Sequence, residues 1–508
     1  MKVKEEVQIN LKMIKNLALI LAVLLISISA SCSNKNSNDT GGDKTADISG
    51  DGDHIEGQSE TPDERFAPNL PDMDFEGYEF RSAVVYYADG NNVAFDAEEE
   101  NGDTINDAIY KRNRYVENKY NVILKEIDTQ KDPWTINDDF KRSVNSDSDD
   151  FDIFLQVDFK AFELVAEGYV LSVDKLPYVD ITKPWYAQDI NEAMSVGGKK
   201  FIAFGDECLT LYDGITAICF NKKLIQDIGL ESPYDLVKNS TWTYDKFFDM
   251  CKAVSSDIDG DGKMTEADRY GVASQNDRFL PLFWVCGGVQ TVIKDSEDML
   301  MLNLVGNEKL ISLLENAWQN IYGGEKIYFD SFEELGYTEE NRIVSRRQFE
   351  NNSALFYLAG LGYIPALRAM DSDFGIIPFP KVDEREDRYY SRVANPWPKI
   401  VPVNAPNPER TSIILEALAA ESRNTTVPAL KEVCLKTKFA RDEESVDMID
   451  LIFDNVFMDL GDSVYWDIRQ GLTGEMMGKG NFVSFAEKNA GKFQKLLDQF
   501  NDLAADME

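Results

Sequence analysis

The chain has 508 residues, with 52 Lys+Arg against 90 Asp+Glu, one His, six Cys and a formal charge of −38. Its 43% apolar and 11% aromatic content is ample for a core, so disorder throughout is excluded, and the length fits two or three domains or one large two-lobed body. The acidity and the lack of a basic stripe exclude nucleic acid as a partner, and a single histidine, His54 in a polar Gly-rich stretch, excludes His triads and multi-His metal sites.

The chain opens with a secretory signal. Lys2, Lys4, Lys12 and Lys15 precede an apolar run from Leu17 to Ile26, followed by Ser27-Ile28-Ser29-Ala30-Ser31-Cys32. The run is shorter than the ~20 residues of a membrane span. A Cys after Ala30-Ser31 resembles a bacterial lipobox, with Ser29 in place of the usual Leu. Residues 1–31 are therefore expected to be a lipoprotein signal peptide, with Cys32 lipidated; an ordinary cleaved signal with an incidental Cys is the alternative. Residues 32–74 are rich in Ser, Asn, Asp, Gly and Thr, which reads as a disordered tether. Cys208, Cys219, Cys251, Cys286 and Cys434 show no CxxC spacing and no disulfide framework, so buried free thiols are expected.

From Tyr78 onward, strand and helix signals alternate. Phe80 to Tyr87, Val122 to Ile127 and Phe151 to Leu155 read as strands, and Asp103 or Thr104 caps a helix carrying Ile105, Ala108, Ile109 and Val116. Leu211 to Phe220, Ser353 to Tyr357 and Phe374 to Phe379 are further β-rich stretches. Beyond Pro406 the pattern is helical: Glu409 to Ser422, Pro428 to Lys436 and Glu443 to Phe457. The last helix opens on the capping box Ser484-Phe485-Ala486-Glu487. No internal repeat is visible. This is an α/β body with a helical C-terminal third, and strand–helix alternation implies a mostly parallel sheet with crossover helices.

Asp257-Ile258-Asp259-Gly260-Asp261-Gly262-Lys263-Met264-Thr265-Glu266-Ala267-Asp268 has the spacing of an EF-hand loop. Side-chain oxygens of Asp257, Asp259, Asp261, Thr265 and Asp268 fall at positions 1, 3, 5, 9 and 12, with the Lys263 carbonyl at position 7 and Gly at the tight bend. Position 12 is Asp rather than Glu, and Tyr270-Gly271-Val272 does not continue as a helix. A structural Ca2+ clamp is expected rather than a sensor; the alternative is a solvated Asp/Gly turn.

Phe201-Ile202-Ala203-Phe204-Gly205, the stretch Leu211 to Phe220 with Asn221-Lys222, Ile228-Gly229-Leu230 and Thr241-Trp242-Thr243-Tyr244-Asp245 resemble the hinge-crossing region of extracellular solute-binding proteins of ABC importers. Ala354-Leu355-Phe356-Tyr357, Asp373-Phe374-Gly375 and Pro378-Phe379-Pro380 resemble the segment that closes their second lobe. The resemblance covers roughly residues 75–508, each motif being short, and is strongest toward the family 1 sugar-binding group typified by maltodextrin-binding proteins. It implies a two-lobed periplasmic-binding-protein-like fold with crossing hinge strands: lobe 1 from 75–212 with 390–458, and lobe 2 from 213–389 with 459–508. It also implies a monomeric, lipid-anchored receptor on the outer face of the cell membrane that hands a carbohydrate or oligosaccharide to a permease without catalysis.

Ligands of open α/β sheets bind beyond the carboxyl ends of strands. That rule, with the resemblance, selects Gln156 and Asp158 after the third strand, Asp89 and Asn91 after the first, and Asp213 at the crossing. Asp158 as a helix cap and Asp89-Gly90-Asn91-Asn92 as a plain turn are the alternatives. Sugar rings need flat apolar faces beside amides and carboxylates. Trp284 beside Gly287-Gly288, Asn395 and Trp397 at the second crossing, and Tyr465 and Trp466 from the C-terminal helices are the candidates, against ordinary core packing. Trp242 and Trp185 are expected to be structural. A secreted carbohydrate-active enzyme using paired carboxylates is the competing function. A cohesin-docking module is a weaker one, because it would need two calcium loops.

Overall fold

The computed structural model of the chain describes residues 65–86, 95–432 and 442–506. Cys32, the signal, the tether up to residue 64, Asp89, Asn91 and Cys434 lie outside the described residues. Two sheets organise the body. The first has the order Lys399–Ile400, Ile153–Leu155, Tyr78–Val84, Val122–Asp128. Tyr78–Val84 runs parallel to both neighbours, with Tyr78 opposite Val122 and Ser82 opposite Ile153, while Lys399–Ile400 is antiparallel. The helix Thr104–Tyr120 crosses between the first two strands. Asp103 starts it by accepting from Ile105 N and Asn106 N, both at 3.1 Å, and Asn121 ends it in the left-handed region at φ 48°. It packs on the helix Pro408–Asn424.

The second sheet has the order Phe374–Ile377, Thr216–Asn221, Ala354–Gly360, Tyr270–Ser274, Tyr328–Asp330. Ala354–Gly360 is buried along its whole length because helices cover both faces, which is why it is continuously apolar rather than alternating. Tyr270–Ser274 is parallel to both of its neighbours, so its carboxyl end and that of Tyr328–Asp330 lie on one edge.

Four expectations are corrected. Leu209–Asp213 is a helical turn and the strand starts only at Thr216, because the chain bends between the sheets here. Gly214 permits that bend: a Cβ on it would lie 2.6 Å from the Ala394 carbonyl, and the Gly214 carbonyl accepts from Ala394 N at 2.9 Å. The tether ends earlier than residue 74. Phe66 exchanges backbone hydrogen bonds of 3.0 and 2.9 Å with the Asn424 side chain, and Leu70 and Phe75 pack on the first lobe's core. The helix Glu443–Phe453 belongs with the second sheet rather than with lobe 1: Ser445 Oγ accepts from Ile376 N at 3.2 Å and shares a 2.7 Å hydrogen bond with Tyr234. The last helix, Phe482–Asp506, begins before Ser484, so the Ser-x-x-Glu sequence sits inside it. That helix touches both parts, through Phe500 against Phe162 and Asn501 against Leu300.

Trp242 is fully buried and its Nε1 donates to the Pro378 carbonyl at 3.0 Å; Trp185 donates to Glu416 at 3.1 Å. Cys208, Cys219, Cys251 and Cys286 are buried and unpaired. Among the described residues, no helix is long and apolar enough to cross a membrane.

Candidate functional site: the interlobe cleft

The carboxyl ends of the parallel strands deliver the cleft-facing segments. After Ile153–Leu155 the chain reaches Gln156, Val157 and Asp158. Gln156 is wholly buried and fully engaged: its Nε2 donates to the Pro133 carbonyl at 3.1 Å and to Asn137 Oδ1 at 2.7 Å, and its Oε1 accepts from Val157 N. Asp158 is equally buried. Its Oδ1 accepts from Phe159 N at 2.8 Å, its Oδ2 accepts from the Ser463 hydroxyl, and its own N donates to the Pro396 carbonyl at 2.9 Å. Burial pushes Asp158 up to about 7, against the Ser463 hydrogen bond and the charge of Arg469. Both residues are struts beneath the cleft surface. Asp158 joins the strand end to the hinge and to the C-terminal helices, and it does not cap the helix it begins.

What Gln156 holds up is the loop after Val122–Asp128. There Asp132 Oδ1 accepts from Trp134 N at 2.9 Å and Thr135 N at 3.0 Å, a turn that presents the Trp134 ring 55% exposed. Trp134 packs 5.4 Å from Phe159 and 5.6 Å, edge on, from Trp466; Phe159 and Trp466 are 4.7 Å apart, and the Lys160 ammonium lies 4.8 Å over Trp134. Trp466 therefore sits in an aromatic wall. Tyr465 points the other way, buried beside Phe500 with its hydroxyl unpartnered among the described residues.

Polar groups continue that wall toward the hinge. The Arg469 guanidinium stacks 4.2 Å over Trp466 and donates to Asn395 Oδ1 at 3.1 Å, with Asn395 held at φ 52°. Asp462 lies 3.9 Å from Arg469 and accepts a two-pronged pair from Arg392 at 2.6 and 2.9 Å, both partners almost wholly buried. Arg392 reaches the Arg278 carbonyl at 3.4 Å, and Arg278 donates to the Tyr363 hydroxyl at 3.4 Å. Asp213 lies at the far end against Gly362, on which a Cβ would stand 2.9 Å from that of Asp213. Its carboxylate has no hydrogen-bond partner among the described residues, and burial alone pushes it up to about 7.

The structure thus brings together Asn395, Trp466 and Asp213, with Asp158 and Gln156 beneath them. It removes Trp284 and Trp397 from the surface. Trp284 is fully buried and donates to Asp459 at 3.1 Å, and Gly288 makes room for Tyr390 rather than for a ligand. Trp397 is wedged at the crossing, its N donating to Thr210 at 2.7 Å and its carbonyl accepting from Cys208. Sequence reasoning missed Trp134, Arg278, Tyr363, Arg392, Asp462 and Arg469. None carries a local signal, and the nearest clue was Arg469 one helical turn beyond Tyr465. Trp134 is exposed and Trp466, Asn395, Arg278 and Tyr363 are half-buried along one wall, with Arg469, Asp462 and Arg392 buried behind them, and aromatic faces beside amide, guanidinium and hydroxyl groups suit polyhydroxylated rings.

The 257–268 loop lies apart, between the helix Tyr244–Val254 and the strand Tyr270–Ser274. Carboxylate oxygens of Asp257, Asp259 and Asp261 fall within 4.8 Å of one another, all exposed. Asp257 also accepts from Gly260 N and Gly262 N at 2.6 and 2.8 Å, and Gly262 takes the bend at φ 80°. Lys263 N donates to Asp261 at 2.8 Å. Asp268 turns its oxygens onto Thr265 N at 2.7 Å and Ile258 N at 2.8 Å, and those hydrogen bonds hold its carboxyl below the usual range.

No protein-family model matches the sequence, and no curated protein matches it. Solved structures do. A cyclo/maltodextrin-binding protein complexed with maltotetraose aligns with a TM-score of 0.52 at 14% identity, covering 83% of this chain and 98% of that one. A maltose/maltodextrin-binding domain from Bdellovibrio bacteriovorus bound to maltotriose aligns at 0.52 and 13%, covering 82% and 100%. An ABC substrate-binding protein from Listeria monocytogenes in complex with cycloalternan aligns at 0.51 and 10%, covering 83% and 99%. At such low identity the likeness is one of fold, and the chain has the two-lobed fold of the sugar-binding receptors of ABC importers.

Proposed function

We propose that this protein is a lipid-anchored extracellular receptor that captures a carbohydrate between its lobes and delivers it to an ABC permease. The observation that carries the reading is the wall of Trp134, Trp466, Asn395, Arg278 and Tyr363, backed by the buried Arg469, Asp462 and Arg392. It supplies ring faces and hydroxyl partners together at the carboxyl edges of both sheets. Cys32 is the lipid attachment point in this reading, the chain acts as a monomer, and its job is capture rather than turnover.

A thermal-shift screen against mono- and oligosaccharides in calcium-containing buffer tests it. A ligand at about 100 times its dissociation constant adds roughly 2.7 kcal/mol to native stability. A shift with one sugar class, that sugar being recovered uncleaved, is the expected result. No shift with any sugar would sink the carbohydrate assignment, and a cleaved sugar would favour a carbohydrate-active enzyme working through paired carboxylates. Mass spectrometry of membrane-extracted protein checks the anchor, since an unmodified Cys32 would remove it.

The 257–268 loop is, in the same reading, a structural calcium clamp. Asp257, Asp259, Asp261, the Lys263 carbonyl and Thr265 would hold the ion, with Asp268 closing the loop. The protein should melt higher in calcium than in chelator, and identical melting in both would refute the clamp.

A further inference from the structure

The cleft gathers positive charge in a chain whose net charge is −38. The strand Tyr270–Ser274 ends on the turn Asn276–Phe279, which carries Arg278 and packs against the helix Trp466–Met477. The Arg278 carbonyl accepts from Arg392 Nη1 at 3.4 Å, which fixes the turn beside Arg392, Asp462 and Arg469. Among these three guanidinium groups one carboxylate is ion-paired, and Asp462 gives both its oxygens to Arg392 at 2.6 and 2.9 Å. Arg469 is left at 3.9 Å, with its Nε buried and unpartnered among the described residues. Asp158 is taken up by Ser463 and Phe159 N, and Asp277 Oδ1, beside Arg278 in the chain, has no partner among the described residues.

Arg278 is the one of the three that reaches the surface. It is half-buried, whereas Arg392 and Arg469 are each 1% exposed. Its Nη2 donates to the Tyr363 hydroxyl at a long 3.4 Å, its Cζ lies 5.1 Å from the centre of the Tyr363 ring, and it makes no ion pair among the described residues. A guanidinium carries five donors in a flat fork that matches a carboxylate, so most of those of Arg278 are open to a ligand. Next to Tyr363 in the chain, Gly362 abuts Asp213, the acceptor whose carboxylate has no hydrogen-bond partner among the described residues. A uronic acid ring offers both complements, a hydroxyl donor for Asp213 and a carboxylate for Arg278. We propose that the solute is an acidic saccharide, its ring carboxylate or sulfate ester taken by Arg278 and a hydroxyl by Asp213, an assignment that rests on the carbohydrate reading above. The overall negative charge does not oppose it. Exposed charges farther than about 8 Å are screened at physiological salt, and a half-buried ion pair is screened much less.

Calorimetric titration of the full chain tests it with uronate trisaccharides of gluco, galacto and manno configuration. Each is compared with its methyl ester, which keeps the ring and removes the charge, with a sulfated counterpart and with the neutral sugar. At least one charged sugar should bind about tenfold or more tightly than its neutral form. Arg278→Gln should erase that preference, and Arg278→Lys should restore part of it, because the charge returns without the fork. A sulfated sugar that outranks every uronate would name the sulfate ester as the anion. Equal affinity for charged and neutral forms, binding of neutral sugars alone, or an Arg278→Gln chain that keeps the preference would each overturn the proposal. The first two results need no variant, so they decide even where Arg278→Gln misfolds. Neutral binding alone would leave the carbohydrate reading standing, whereas silence from every sugar would sink both.

Discussion

The 257–268 loop and the interlobe cleft both gather carboxylates, and they do so in opposite ways. In the loop, Asp257, Asp259 and Asp261 stand within five residues of one another, exposed, with local backbone N–H groups as partners. In the cleft, Asp158, Asp213 and Asp462 come from distant parts of the chain and meet partners as remote as Ser463 and Arg392. Water solvates the loop carboxylates, whereas burial pushes Asp158 and Asp213 up to about 7. A local motif can be read and removed piecemeal, while a cleft carboxylate is also a structural tie.

The largest effect should come from cutting that tie. Asp462→Ala leaves Arg392 and Arg469 buried without their shared carboxylate, a loss of about 3–5 kcal/mol, read by urea unfolding. A loss under about 1 kcal/mol would mean that the pair is solvated. Asp259→Ala should remove only the loop's calcium response, about 2.7 kcal/mol at 100 times the dissociation constant, and lower bound calcium by one ion per chain. Sugar binding should be untouched, and a weakened sugar affinity would break the proposed independence of the two regions.

Next comes pH. Burial holds Asp158 and Asp213 at about 7 and Asp206, Asp330 and Asp459 at about 6, while unfolded Asp titrates near 3.9. Between about pH 4 and 7 the native chain keeps protons that the unfolded chain has lost, so stability falls as pH rises through this window. Melting should be roughly 2–4 °C lower at pH 8 than at pH 5, checked by calorimetry, and Asp213→Asn should flatten part of the slope. A rise toward pH 8 would contradict the buried carboxyls. The smallest effect on stability should be that of Trp134→Ala. Its ring is exposed, so melting should barely move, while saccharide affinity falls about tenfold through lost stacking, read by calorimetric titration. Unchanged affinity would place the ligand away from the aromatic wall.

Much of the fold was legible because strands and caps are local events. The β-rich runs near 80, 122, 153, 354 and 374 all became strands, and Asp103 does start its helix. The failures occur where neighbouring elements decide. Leu211 looks like strand from its apolar neighbours, yet the crossing at Ala394 bends the chain there. Ser484-x-x-Glu487 looks like a helix start, but the helix already runs through it. Among the cleft candidates, residue type pointed to Trp284 and Trp397 because exposed and core tryptophans share one sequence signature. Only packing separates them from Trp134, whose exposure follows from the Asp132 turn and the Gln156 prop.

By itself the sequence determined an acidic α/β body, free thiols and an oxygen-rich loop, because composition, short-range spacing and periodicity express them directly. The tertiary structure decided which aromatic ring faces the cleft, that Asp158 and Gln156 work from beneath it, and that Asp462 joins two arginines. Those outcomes depend on chain segments hundreds of residues apart being brought to the same strand ends, and no local pattern encodes which of many Asp, Arg or Trp residues will arrive there.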